Sequence, residues 1–151
     1  MSDALFQDAE DHPDSFDLKR PALRSEIESV EEQLGESLPP SFCDVLTQMG
    51  QGIFFDNESL LGVHEVEHGH GDLLSINHDL HTKQGLPSHF VVFHLGTGGL
   101  HAFDTRTAGP EFEVVALDED TLAPGTTYSG FDAWYLEAMR EEYSNALDLE
   151  E

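Results

Sequence analysis

The stretch His64-Glu65-Val66-Glu67-His68 reads H-E-x-x-H, the spacing with which a helix places two imidazoles on one face to hold zinc while the glutamate acts as base. Its surroundings argue against that helix. Gly62 precedes the motif, Val66 is β-branched, and Gly69 and Gly71 follow the second histidine at once. His70 comes too soon to be the third ligand of the extended motif, and no glutamate lies between Glu67 and Glu111 to replace it. A zinc-dependent hydrolase is therefore the remotest reading. His64, His68 and His70, with His78 and His81 further on, are instead expected to capture zinc or nickel adventitiously at most. No functional metal, no cofactor and no catalytic residue is expected.

The remaining chemistry-bearing residues read as structural. Cys43 is the only cysteine, so it forms no intramolecular disulfide, and its place among apolar helix positions predicts a buried thiol. His94 and His101 flank a glycine turn and are expected to face each other as satisfied sheet histidines. There is no Gly-x-Ser-x-Gly elbow, and Gly96-Thr97-Gly98-Gly99 lacks the Lys-Ser/Thr that a phosphate loop requires. The charge balance is extreme: 31 acidic against 6 basic side chains, a formal net charge of −25. Such a chain repels nucleic acid and anionic lipid and steers cationic partners toward itself. The same excess also serves solubility or adaptation to a salty cytoplasm, so charge alone does not select a partner. No apolar run reaches the roughly 18 residues of a membrane span, and no basic-then-apolar leader opens the chain, so a soluble cytoplasmic protein is expected.

The elements around these residues follow from periodicity. Phe90 to Leu95 is apolar on both faces, with Val91, Phe93 and Leu95 on one side and Phe90, Val92 and His94 on the other, which predicts a central strand. Leu100 to Thr105 returns as its hairpin partner. Leu23, Ile27, Val30 and Leu34 form a helical stripe ended by Gly35, and Ser25 with Glu28 is a candidate capping box. Pro39-Pro40 opens a second helix carrying Phe42, Val45, Leu46 and Met49. Asp72 caps a third, presenting Leu73, Ile76, Asn77 and Leu80. Ile53 to Phe55, Leu60 to Val66 and Glu111 to Leu117 read as strands, and Gly125 to Tyr128 as a loop. Ser129 and Asp132 are candidate caps for a last helix striped with Phe131, Trp134, Tyr135, Ala138 and Met139. Residues 1–20 read as a mobile acidic arm docking through Phe6 or Phe16, residues 21–144 as the domain, and residues 145–151 as an acidic tail. The fold class is α+β, a central mixed or antiparallel sheet flanked by helices.

The order of these pieces resembles the SUKH superfamily, the group that includes the Smi/Knr-type proteins. The resemblance runs from Leu23 to Tyr143. It is carried by an opening helix ending in Leu-Gly, by Leu38-Pro39-Pro40-Ser41-Phe42, by Leu60-Leu61-Gly62, by Asp72 to Asn77, by Gly96 to Asp104, and by Phe131 to Leu136. Met49-Gly50-Gln51-Gly52 stands where the family usually has Asn-Gly-Gly. The resemblance implies a helix-flanked sheet, no catalysis, and the role of bacterial immunity proteins, which bind and neutralise a toxin. A cationic toxin domain, for instance a nuclease, suits a partner of this charge. The alternative is a regulatory scaffold of the same fold that docks a cellular protein. Partner contact is expected from Asp56, Glu58, Glu65, Glu67, Asp104, Glu111 and Glu113 around the sheet, with one of Phe54 and Phe55 as apolar anchor because successive strand residues face opposite sides. The oligomeric state stays open.

Overall fold

The computed structural model describes residues 3–55, 58–64, 72–96 and 99–140. The architecture is α+β, as the periodicities require. One sheet of seven antiparallel strands runs in chain order: β1 (Phe16–Lys19), β2 (Gln51–Phe54), β3 (Glu58–Leu60), β4 (Phe90–Gly96), β5 (Gly99–Asp104), β6 (Glu113–Leu117) and β7 (Pro124–Tyr128). The helices are α1 (Asp3–Asp11), α2 (Arg24–Leu34), α3 (Pro40–Gln48), α4 (Leu73–Lys83) and α5 (Phe131–Trp134), the last continuing as a π-helical Tyr135–Arg140.

Strand β4 is central, as its two apolar faces predict, and Phe90 through Phe93 are all buried. Strict alternation is broken at Phe93, where a bulge lets Val92 and His94 pair with the adjacent residues Ala102 and His101. Both the Phe93 and the His94 rings therefore reach Trp134, at 4.9 and 5.0 Å between centroids. Phe93 stacks on Phe103 at 4.2 Å and meets Phe42 of α3 and Phe131 of α5, so one aromatic cluster joins sheet and helices.

On its β5 side β4 is hydrogen-bonded along its length, but β3 covers only Leu95 and His94 on the other side. The Leu61 N–H still donates to the Phe93 carbonyl (2.9 Å), after which the chain leaves the sheet and α4 completes the ladder. Asn77 accepts from the Val92 N–H (2.7 Å) and donates to the Val92 carbonyl (2.8 Å), and the His81 ring lies 2.7 Å from the Phe90 carbonyl. A side-chain amide here does the work of a strand residue. The helix is aimed by its cap, for Asp72 accepts from the Ser75 N–H at 2.7 Å.

Four expectations are corrected. The segment read as a mobile arm forms α1 and β1. Leu5 is buried, and buried Asp8 accepts from the Tyr135 hydroxyl (2.6 Å) and from Arg140 Nε (2.8 Å), which ties the arm to the last helix. Of the strand expected over Leu60 to Val66 only Leu60 is in a strand, as the end of β3, because the chain turns out of the sheet where Gly62 packs against Leu46 and Gln51; Glu65 and Val66 lie outside the described residues. The loop Gly125 to Tyr128 is the edge strand β7, since Thr126, Thr127 and Tyr128 favour extended backbone and an edge position tolerates Pro124. At the helix starts Glu26, not Glu28, closes α2 by accepting from the Leu23 N–H (2.8 Å), and α5 begins at Gly130 with no capping bond from Ser129. Residues 145–151 lie outside the described residues.

The Met49-Gly50-Gln51-Gly52 loop acquires a reason. Gly50 (φ 98°) and Gly52 (φ 154°) lie so close to β1 that a Cβ on either would collide with the carbonyl oxygens of Lys19 and Asp17. The glycines are what let the first strand pair.

Two substitutions test the account of β4. Phe93→Ala should lower unfolding free energy by about 3–5 kcal/mol. Asn77→Leu, which keeps volume but orphans both Val92 groups, should cost about 2–5 kcal/mol. Chemical denaturation measures both, and an unchanged midpoint for Asn77→Leu would show that Val92 finds other partners.

Candidate functional site

The expected ring of partner-contacting residues separates sharply in the structure. Phe54 and Phe55 are both buried, so neither is an exposed anchor. Phe55 ends the strand at φ 50°, which breaks alternation and folds its ring back to 5.2 Å from Phe54, with Phe16 of β1 packed against both. Asp104 is buried and held by Arg106 through two side-chain bonds of 3.1 Å, which together push its carboxyl below the usual carboxylate range. Glu111 accepts from the Ser41 N–H at 3.1 Å and so serves the first turn of α3. Glu113 alone among the described candidates is an exposed carboxylate. Asp56, Glu65 and Glu67 lie outside the described residues.

Glu58 departs furthest from expectation. It is buried, and its Oε1 lies 2.7 Å from His94 Nε2, while His94 Nδ1 lies 3.0 Å from His101 Nδ1. Three adjacent strands thus contribute one residue each to a chain running from a buried carboxylate to a half-buried imidazole. With Glu58 ionised and His94 neutral, one proton arrangement satisfies both contacts: His94 donates from Nε2 and accepts at Nδ1 from His101. Burial holds His94 below its ordinary pKa, with Glu58 opposing, and burial pulls His101 down to about 3. A side chain at Gly96 would collide with Glu58 Oε1 and His94 Cε1, so the turn glycine also makes room for the carboxylate. Sequence reading anticipated that the two histidines face each other but placed Glu58 among the partner contacts. The only signal was an acidic residue beside a strand of otherwise inward-facing side chains.

The chain of contacts resembles the orienting half of a catalytic relay, but its histidines are packed against aromatic rings. His94 and His101 both contact Trp134, and His101 also contacts Tyr128. The arrangement links β3, β4 and β5 through side chains packed against the sheet's aromatic cluster.

The histidines of the metal reading do not converge among the described residues, where no group of three or more His, Cys, Asp or Glu is placed to hold an ion. His64 sits in a bend 3.7 Å from Glu26, and His81 is engaged by the Phe90 carbonyl. His78 and His81 line an open groove with Gln33, Leu34 and Leu74. His68, His70 and the rest of H-E-x-x-H lie outside the described residues. Cys43 is buried, and its thiol is pushed up to about 12 by burial first and Glu31 second, so it is no nucleophile. No described helix is long and apolar enough to cross a membrane.

The family model SUKH_5: SMI1-KNR4 cell-wall matches residues 4–140. That span includes α1 and β1, which the sequence reading had set apart. Among solved structures the chain is similar to a protein from Pseudomonas syringae pv. tomato, with a TM-score of 0.67 at 12% identity, covering 90% of this chain and 98% of that one. That likeness concerns the fold. Comparison with curated proteins gives no match.

The histidine pair makes a pH prediction. An unfolded histidine takes up its proton near pH 6.5, whereas folded His101 resists until about 3. The unfolded state therefore binds more protons in that window, and stability that is full above about pH 6.5 falls as the solution is acidified. His101→Asn should flatten the decline between roughly pH 6.5 and 5, before most carboxylates titrate. Urea midpoints across that range measure it, and parallel slopes for the two proteins would refute the assignment.

Proposed function

The chain belongs to the SMI1-KNR4 family, and on that premise we propose that it is a non-catalytic protein-binding domain of the immunity type. It neutralises a cationic toxin domain, such as a nuclease, by covering the surface that would hold phosphates. The observation that carries this reading is the net charge of −25. A nuclease must present positive charge to nucleic acid, and an acidic protein competes for that same surface.

The disposition of carboxylates refines the proposal. Glu58, Asp104 and Glu111 are occupied by internal contacts and serve the fold. Contact with the partner falls to exposed Glu113, to Asp56, Glu65 and Glu67, and to the exposed backs of the helices, where Glu28 and Glu32 of α2 lie. The H-E-x-x-H reading gains no support from His64, the one described residue of the motif, which lies in a bend.

The test is a titration against the partner captured from the native cell. Affinity should fall steeply between low and high salt, and Glu113→Lys should slow association several-fold while leaving the melting temperature unchanged, since rim charges act on encounter. Affinity indifferent to salt would mean that the acid excess serves solubility and that occlusion by charge is wrong.

A further inference from the structure

A sheet of seven strands in chain order has two edges, β1 and β7, and they are treated very differently. The β1 edge carries charge: Lys19 and Asp17 lie along it 3.4 Å apart, both well exposed. Charged side chains, lysine above all, are the usual means of preventing an edge from recruiting another strand. The β7 edge carries none. From Thr121 to Phe131 the chain has no charged residue, although it belongs to a protein of net charge −25 and is bracketed by Asp120 and Asp132.

The β7 edge is open and preorganised. Pro124 through Thr127 are exposed, and among the described residues no strand pairs with the outer side of β7. Pro124 and the irregular register near Leu117 blunt only its beginning, for Thr127 and Tyr128 pair regularly with Val115 and Val114. The turn that presents the strand is rigid: Asp118 accepts from the Asp120 and Thr121 N–H groups at 2.8 and 2.9 Å, and its main chain bonds to Ala123 and Leu122. Acidic residues frame this uncharged edge. Exposed Asp118, Glu119 and Asp120 lie at one end of the β6–β7 hairpin, and exposed Glu113 begins β6 near the other.

From this juxtaposition we infer that the outer edge of β7 receives an extended, cationic segment of the partner protein as an added strand. Main-chain hydrogen bonds along Gly125–Thr127, the exposed part of the strand, supply the pairing, and the framing carboxylates select lysine and arginine side chains that flank it. The inference rests on the proposed binding of a cationic partner and names where and how that partner is held. A second copy of this chain fits poorly, because pairing two β7 edges brings two acidic frames together. The acidic residues 145–151 mismatch the frame for the same reason.

The probe is a short synthetic peptide in which lysine alternates with valine and threonine, titrated into the isotope-labelled full chain at physiological ionic strength. The Thr126 and Thr127 amide signals should shift together. A twin with glutamate in place of lysine should not bind, and neither should a twin whose backbone nitrogens are methylated. Thr126→Lys should weaken binding about tenfold with the melting temperature unchanged. Equal binding by the methylated twin would overturn strand addition, and equal binding by the glutamate twin would overturn the selection of a cation. Shifts confined to the helical backs would also overturn the inference, as would a dimer of this chain that Thr126→Lys dissolves. The captured partner separates this inference from its premise. Salt-dependent binding that Thr126→Lys leaves intact retains the immunity reading and removes the edge, whereas salt-indifferent binding removes the reading itself.

Discussion

The fold depends on how the two edges of β4 are satisfied. This strand is buried on both faces, so each of its peptide groups must find a partner without water. Strand β5 pairs with β4 from Phe90 to Gly96 around the bulge at Phe93, but β3 is three residues long and leaves Val92 and Phe90 uncovered on the other side. Asn77 and His81, one turn apart on α4, fill the vacancy with a side-chain amide and an imidazole. The helix is thereby fixed to the sheet by direction-dependent bonds as well as by the packing of Leu73. That constraint explains why a polar residue occupies an apolar stripe, and why the Asp72 cap that sets the phase of α4 matters well beyond its own turn.

Carboxylates divide into two populations by the same logic of desolvation. Asp8, Glu58 and Asp104 are buried and each is matched to a partner: Tyr135 with Arg140, His94, and Arg106. A buried carboxylate without such a partner would be expensive, so these three are committed to structure and unavailable for binding. Glu113, Asp118, Glu119 and Asp120 remain exposed and keep their long-range field. The contrast matters for function because net charge is a property of the whole composition, whereas recognition uses only what stays at the surface. With Glu58 and Asp104 buried, Glu113 is the exposed carboxylate left among the described members of the candidate ring.

Composition and periodicity decided much of this protein in advance. An α+β class, a central hairpin at Phe90 to Asp104, and three helices in their order follow from apolar spacing and from the Gly35, Asp72 and Pro39-Pro40 signals. These are local properties, set by which side chains recur on one face and which residues begin or end a turn. The facing of His94 and His101 was legible for the same reason, since it depends on neighbours within one hairpin.

Long-range partnership was not legible. Phe55 and Glu58 read as surface candidates because alternation and charge say nothing of φ 50° at a strand end, or of a histidine 36 positions away. Residues 1–20 read as a mobile acidic arm because their anchor, the Tyr135 and Arg140 contact to Asp8, lies more than a hundred residues downstream. Likewise Gly125 to Tyr128 became an edge strand only through pairing with β6. The sequence by itself determined the elements, their order and the overall charge. Tertiary structure alone decided which acids are spent on the fold and which strands form the edges of the sheet. Both depend on desolvation and pairing between segments far apart in the chain, which no local pattern records.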